Sequence, residues 1–599
     1  MPFSVGSISQ IAVPILLFFT WSGISLFWAS SSKSVVHHTL TWAAYLIFFL
    51  VVLYISSSER LVRLSFLTLG VVVAVIGVTC TLEYLFREKL DDAFAFRYAR
   101  FAEIWAALLP LFFSFILRLK GKNSVWAMVV TSLIWLGILY STSRGSLISA
   151  IAGLIVFGLL RVFFDTARSG KKRMAFALSW LFLLVVLTQT ASLTSSGTQK
   201  TSTLSRIMTS SEVEPGNSFS KNIRFLFSSV GLEMFRDNPV VGVGADNFGL
   251  EFNKYRAIIS ARPENRSLVQ GNEDALPERA HNEYLQIFSE LGIIGGFIFL
   301  LFLFIIFKLC FVEIRKKGSS PGNILTHAAI AGLVAFLISS SFSSFSFRLV
   351  QNGIVFFFLL ALLLKSIFTK RSAIKERTVI SNRLGIAVLS VGLLFCIGLT
   401  AFSSLKATSQ YLVYKGEREH NFDNSELNFQ TAIMLDRANA AADFSYAMLL
   451  FNQTKYSNAA VEFREAIKKG VYTSAVYSYQ ISAHSLAGEN ELSLTAASQS
   501  ILVYPYSTFL RTRYAVLLGE AGRTGEAETQ FRIARSIDAK QTDTWQLLIT
   551  QGTIKAAEAG RAGIGLSKLE YLYPADGVYA VLAERDIRFP DQKFKFATQ

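Results

Sequence analysis

The stretch "ERAHNEYLQIFSELGIIGG", Glu278 to Gly296, passes from a charged loop straight into an apolar run. One of the chain's six histidines, His281, stands at that boundary. The run spans 284–311, long enough to cross a hydrocarbon layer about 30 Å thick as a helix. Similar runs fall at 8–29, 35–55, 64–82, 102–119, 125–140, 146–164, 174–191, 324–343, 350–368 and 384–404. The 599 residues are 52% hydrophobic and only 17% charged, which a soluble chain of ordinary composition does not match. Beyond about Ala401 the apolar excess ends. The expected fold is therefore all-α: a polytopic helical membrane protein of about eleven transmembrane helices with a large outer loop, followed by a soluble α-solenoid. The domains divide as a transmembrane part over 1–404, with its large loop at 192–283, and a repeat domain over 405–599.

Charge fixes the orientation. With the N-terminus in the cytoplasm, the inner loops carry 20 basic residues, among them Arg168, Lys171, Lys172 and Arg173, and the short outer loops carry seven. Much of the net charge of +16 is thus a topology signal, and nucleic acid is not an expected partner. The loop at 192–283 and the C-terminal domain fall on the outer side. Cys80, Cys310 and Cys396 all lie in or beside apolar runs, so neither a disulfide framework nor a cysteine metal site is expected. The first run lacks a basic leader and a clear small-residue cleavage site, and reads as a retained helix.

The C-terminal part repeats every 34 residues. Phe422, Ser425, Phe429 and Ala432 align with Tyr456, Ala459, Phe463 and Ala466, then with Asn490, Ser493, Ala497 and Ser500, then with Thr524, Ala527, Phe531 and Ala534. The period and the segment "YSNAAVEFREA" resemble the tetratricopeptide repeat. Such an array binds a protein partner in its groove, or it only braces the membrane part.

Three segments carry a second resemblance. Arg224 precedes "DNPVVGVGADNF" (Asp237 to Phe248), "HNEYLQIFSELGIIGG" begins at His281, and "STSRGS" (Ser141 to Ser146) occupies an outer helix junction. Together they resemble the O-antigen ligase and polymerase superfamily of bacterial membrane glycosyltransferases. The resemblance implies a multi-pass enzyme of the inner membrane with its repeat domain in the periplasm. It would take a glycan from an undecaprenyl pyrophosphate carrier and transfer it to an acceptor hydroxyl on a glycolipid or protein, with inversion at the anomeric carbon and no metal or other cofactor. Ligation to the lipid A core is the first choice of acceptor. Polymerisation of lipid-linked glycan and O-glycosylation of protein are the alternatives within that chemistry, and a non-catalytic membrane scaffold or a transporter the alternatives outside it.

The residues can also be weighed by their chemistry. A pyrophosphate leaving group suits guanidinium, which is always charged and forked. The outer-side candidates are Arg144 and Arg224, then Arg279, Arg97 and Arg100, with lipid headgroups or loop carboxylates as competing partners. His281 is the candidate general base, since an unperturbed imidazole titrates near neutrality. If the helix extends back through the motif, Asn282, Gln286, Ser289 and Glu290 share a polar stripe that should face a cavity, with Glu290 pairing an arginine or orienting a polar neighbour. Gly292, Gly295 and Gly296 are expected to let the helix pack closely. His37 and His38 read as interface residues, and Asp237 and Asp246 have no strong chemical case. The acidic run "GNEDALPE" (Gly271 to Glu278) reads as a solvated loop.

Overall fold

The structure, a computed structural model, describes most of residues 5–372 and 404–552. Residues 87–97, 195–214, 270–278, nearly all of 373–403 and 553–599 lie outside the described set, as do some shorter stretches. The eleventh apolar run, Arg97 and the acidic run fall there. The described residues are helical throughout, with no strand among them.

Ten helices match the first ten apolar runs. They are α1 (Val5–Ile24), α2 (Ser32–Ile55), α3 (Glu59–Phe86), α4 (Tyr98–Arg118), α5 (Lys122–Tyr140), α6 (Arg144–Phe164), α7 (Lys171–Thr194), α10 (Glu283–Ile314), α11 (Asn323–Ser340) and α12 (Val350–Ser372). Six are long and apolar enough to cross a membrane, and the other four contribute shorter apolar spans. Between α7 and α10 lie α8 (Pro215–Asp237) and α9 (Phe248–Ser260).

α4 is the centre of the bundle. It packs against α5, α6, α11 and α12, and almost all of its span is buried. It approaches α11 closely: a Cβ on Gly332 would lie 2.4 Å from the Ala107 carbonyl oxygen. Small residues at such crossings gain van der Waals contact where lipid supplies no hydrophobic drive. The outer helices expose large apolar side chains such as Leu64 and Val75 on α3 and Phe182 on α7, as a face toward hydrocarbon requires.

The helix connections on one side of the bundle meet. Ser31 donates its backbone N–H to Asn247 Oδ1 at 2.8 Å, and the Ala245 N–H reaches Ser25 Oγ at 3.1 Å. A Cβ on Gly145, at the start of α6, would touch Phe342 between α11 and α12. Thus the α1–α2, α5–α6 and α11–α12 connections and the loop after α8 converge, which an alternating helix topology demands.

The C-terminal part forms helix pairs: α13 (Phe422–Leu435) and α14 (Ala440–Asn452), α15 (Tyr456–Lys468) and α16 (Ser474–Leu486), α17 (Asn490–Val503) and α18 (Thr508–Glu520), and α19 (Thr524–Ile537) and α20 (Ala539–Thr550). Helix starts at 422, 456, 490 and 524 preserve the 34-residue spacing. Ser425, Ala459, Ser493 and Ala527, and likewise Ala432, Ala466, Ser500 and Ala534, are all buried. The small side chains therefore sit where helices approach each other. Between them Phe463 of α15 stacks on Tyr479 of its partner α16 at 5.9 Å.

This array is seated on the segment between α7 and α10. Arg256 of α9 is fully buried. Its Nη2 donates to the Val503 carbonyl at 2.6 Å, and its guanidinium lies 5.2 Å from the Tyr504 ring centroid. Tyr506 donates its hydroxyl to the Ser260 carbonyl at 3.1 Å. A hydrogen bond from a charged donor contributes roughly 1.5–3 kcal/mol. Arg256→Ala should therefore lower amide-exchange protection at 500–507 by about 10- to 100-fold. Unchanged protection in exchange mass spectrometry would show that the seat does not depend on Arg256.

Candidate functional site

The motif at the top of α10 folds differently from a simple backward extension of the helix. α10 starts at Glu283, and His281 has a positive φ of 54°. Asn282 is the cap: its Oδ1 accepts the Leu285 N–H at 3.1 Å and its carbonyl accepts the Gln286 N–H at 3.0 Å. His281 thus leaves the helix axis. Its ring stacks on Phe227 of α8, with centroids 5.7 Å apart and planes 14° apart.

Phe227 also places Arg224. The two residues are three apart on α8 and share a face. Arg224 keeps solvent access. Protein packed around it desolvates the guanidinium, and the charge of Arg144 adds repulsion, so both lower its pKa. The two arginines expected to hold an anion therefore come from separate segments, the start of α6 and α8, and lie within electrostatic reach of each other. Two guanidiniums this near each other raise the local positive potential, which favours an anion.

Arg279 goes elsewhere. It is 2% exposed and pairs with Asp246 inside the protein, so its guanidinium is not presented to a ligand as expected. The physical reason is the carboxylate excess beside it. Arg100 lies in the first turn of α4; its side chain is outside the described set.

Asp246, Glu283, Glu290 and Arg348 complete a buried network that sequence reasoning did not assemble. Arg348, between α11 and α12, donates from Nε to Glu283 at 2.9 Å. Its Nη1 donates to Glu290 at 2.7 Å and to Asp246 at 3.0 Å, and lies 3.4 Å from His38 Nδ1. Burial opposes the charge on Arg348, but Glu290, Glu283 and Asp246 outweigh it and hold its pKa above the usual value. Burial likewise opposes ionisation of Asp246; Arg279 and then Arg348 hold its carboxyl well below the usual range. His38 is no interface residue: the inward face of α2 places it against Arg348, Phe18 and Trp42. Asp246, without a chemical case in the sequence, is the point where both arginines meet. One signal was available. Three carboxylates at the top of a membrane helix and its partner loop require cations, and Arg348 is a basic residue on the side where the topology rule disfavours one.

The polar stripe of α10 faces protein rather than a cavity. Glu290 accepts the Asp246 N–H at 2.9 Å, the Phe248 N–H at 3.3 Å and Gln286 Nε2 at 2.8 Å. Gln286 Oε1 in turn accepts the Ala280 N–H at 3.0 Å. Glu290 pairs an arginine and also ties down the start of α9.

α10 is broken at Gly292, with φ 65° and ψ −166°. The "DNPVVGVG" loop lies in the break. Val243 and Gly244 donate to the carbonyls of Ser289 and Glu290 at 3.0 and 2.8 Å, and Ile293 donates to the Pro239 carbonyl at 2.8 Å. Trp21 Nε1 takes the Leu291 carbonyl at 3.0 Å. Backbone groups freed by a break in a membrane helix must find partners, and here protein supplies them. Gly292 was expected only as a packing residue; it is the break itself. Gly295 and Gly296 do lie against side chains, Trp21 and Phe288.

This geometry combines a ring held at a loop, an arginine one turn from its stacking partner with a second within electrostatic reach, and a buried charge network tied to the same loop. Residues 127–300 match the family model described as O-antigen ligase. The matched stretch runs from α5 into α10 and includes Arg144, Arg224, Asp246, His281 and the break. Over those residues the chain is similar to that family, which supports a role in glycan transfer in general, and with the apolar helices it suggests a multi-pass membrane protein. Arg348 and His38 lie outside the matched stretch. No curated protein matches the chain. Among the described residues no group of three or more potential metal ligands is assembled.

Proposed function

We propose that the protein transfers a glycan from an undecaprenyl pyrophosphate carrier to an acceptor hydroxyl at the periplasmic face of the inner membrane, with the lipid A core as the first choice of acceptor. The observation that carries this reading is the placement of His281 on Phe227, one turn of α8 from Arg224, with Arg144 close by. The two guanidiniums bind the pyrophosphate and stabilise the charge that grows on it. His281 accepts the proton of the acceptor hydroxyl as its oxygen attacks the anomeric carbon. The bond from that carbon to the pyrophosphate oxygen breaks from the opposite face, its electron pair leaves with the carrier, and the configuration inverts. The proton passes from His281 to water. Phe225 and Leu232 are exposed two turns apart on α8, an apolar edge suited to a lipid-borne donor.

Three further assignments belong to this reading. Asn282 and Glu290 support the site through the helix cap and the charge network. The C-terminal pairs form a periplasmic tetratricopeptide-like domain, and the seat at Arg256 supports its placement on the same side as the outer segment. That seat also favours a second reading, in which the array presents a protein acceptor. The filled break at Gly292 speaks against a transporter, whose broken helices leave backbone groups free for substrate and ions.

Deleting the gene and following the glycan tests the assignment. Long chains retained on the lipid carrier are expected for ligation to lipid A core. Single repeat units would point to polymerisation, and unglycosylated protein with normal lipopolysaccharide to the protein acceptor. A glycan profile unchanged in all three pools would overturn the enzyme reading. Arg224→Ala should cut transfer in reconstituted vesicles by about 10²- to 10³-fold; full activity in a normally inserted variant would remove Arg224 from the donor site.

A further inference from the structure

We propose that Arg348, contributed from beyond the stretch that matches the family model, is a positioning residue that sets the placement of His281. The chain of contacts begins at Tyr45 of α2. Its hydroxyl donates to the carbonyls of both Phe347 and Leu349, at 3.0 and 3.1 Å, which fixes the backbone on either side of Arg348. Trp42, one turn earlier, stacks on Phe347 at 5.6 Å. From this anchor Arg348 holds three carboxylates. Glu283 is two residues after His281 and is gripped directly. Asp246 is gripped from one side by Arg348 and from the other by Arg279, two residues before His281. Glu290 holds Gln286, and Gln286 holds the backbone N–H of Ala280, the residue immediately before His281.

Positions 279, 280 and 283 are thereby tied to one guanidinium. His281 itself occupies the left-handed region, which is costly for a residue with a Cβ and persists when the surroundings over-determine it. Without the ties, the loop would relax and the stack on Phe227 would be lost. A fork is needed for this. Nε and Nη1 of Arg348 address separate carboxylates, whereas a lysine ammonium is a single point charge that keeps the sign but not the geometry. The ties reach residues 279, 280 and 283, on either side of His281, so their effect is expected on the imidazole rather than on donor binding.

The kinetic consequence rests on His281 being the base proposed above. In Arg348→Lys, kcat for transfer is expected to fall by about 10²-fold, as for a reacting group displaced by about an ångström, while the KM for the lipid-linked donor stays within about threefold. The structural consequence does not rest on catalysis. With only six histidines, ring-labelled protein in nanodiscs gives few imidazole signals, and His281→Gln identifies its own by loss. The His281 signal should shift in Arg348→Lys as the ring leaves the face of Phe227. Asp246→Asn provides a second route that avoids a buried cation of altered shape, because asparagine tolerates the φ of 58° at this position. It should move the same signal through Arg279. An unmoved His281 signal in both variants, or a fall in donor affinity with kcat intact, overturns the proposal. If the signal moves but His281→Gln transfers glycan at the normal rate, the positioning stands and the functional reading fails.

Discussion

Replacing His281 with glutamine is expected to lower glycan transfer in reconstituted vesicles by about 10²- to 10⁴-fold, the range that a positioned general base contributes, if His281 is the base proposed above. Glutamine keeps a planar polar group that can lie on Phe227, so the stack at 5.7 Å is not simply emptied. It cannot take up a proton near neutral pH. The loss should fall on kcat, because in the proposed function Arg144 and Arg224, not His281, hold the pyrophosphate. A wild-type rate from a properly inserted His281→Gln protein would mean that the acceptor hydroxyl loses its proton elsewhere, and the assignment of this site would have to be abandoned.

Gly292→Ala is expected to be the most damaging single change to the fold. The residue has φ 65° and ψ −166°, a combination that only glycine adopts freely. A Cβ there would lie 2.2 Å from the Val240 carbonyl oxygen and 2.5 Å from the Val241 nitrogen. These are backbone atoms of the loop that fills the break, so they cannot swing aside like the end of a flexible side chain. Backbone strain and overlap each cost roughly 1–3 kcal/mol, and together about 2–6 kcal/mol. The loop that would be pushed out also carries Asp246, so transfer should fall along with the melting temperature. Gly158→Ala is the control, since nothing lies within 4 Å of a Cβ there on α6. In a mid-helix position it should be neutral or stabilising. Equal melting temperatures for the two variants in detergent would show that the break tolerates a side chain.

The two substitutions bracket what a sequence of this kind reveals. Ten apolar runs became ten helices because spanning length and mean hydropathy are local properties, legible one segment at a time. The 34-residue spacing was legible for the same reason: small residues must recur wherever successive helix pairs touch. Arg144, Arg224 and His281 were chosen because each is chemically out of place for its segment, a cation on the disfavoured side or a titratable ring at a helix boundary. In the structure Arg224 lies one turn of α8 from Phe227, on which His281 stacks, and within electrostatic reach of Arg144.

Other site features were not legible, and each depends on contacts across long separations. Arg279 and Arg224 are both arginines near a motif; only the position of Asp246 decides that Arg279 is buried in an ion pair, while Arg224 stays exposed on α8. Asp246 looks ordinary until Arg348, a hundred residues later, is folded beside it. The break at Gly292 depends on what the loop 239–244 does across it, and a helix period extended through "HNEYLQIFSELG" misses both the break and the cap at Asn282. The sequence by itself determined the helices, their alternation and the chemical types available at one end of the bundle, because those follow from hydropathy, charge bias and periodicity. Only the tertiary structure decided which charges are buried against one another and which stay exposed. That choice is made by burial: a charge withdrawn from water must be paired, and the partner is set by how the chain packs rather than by its order.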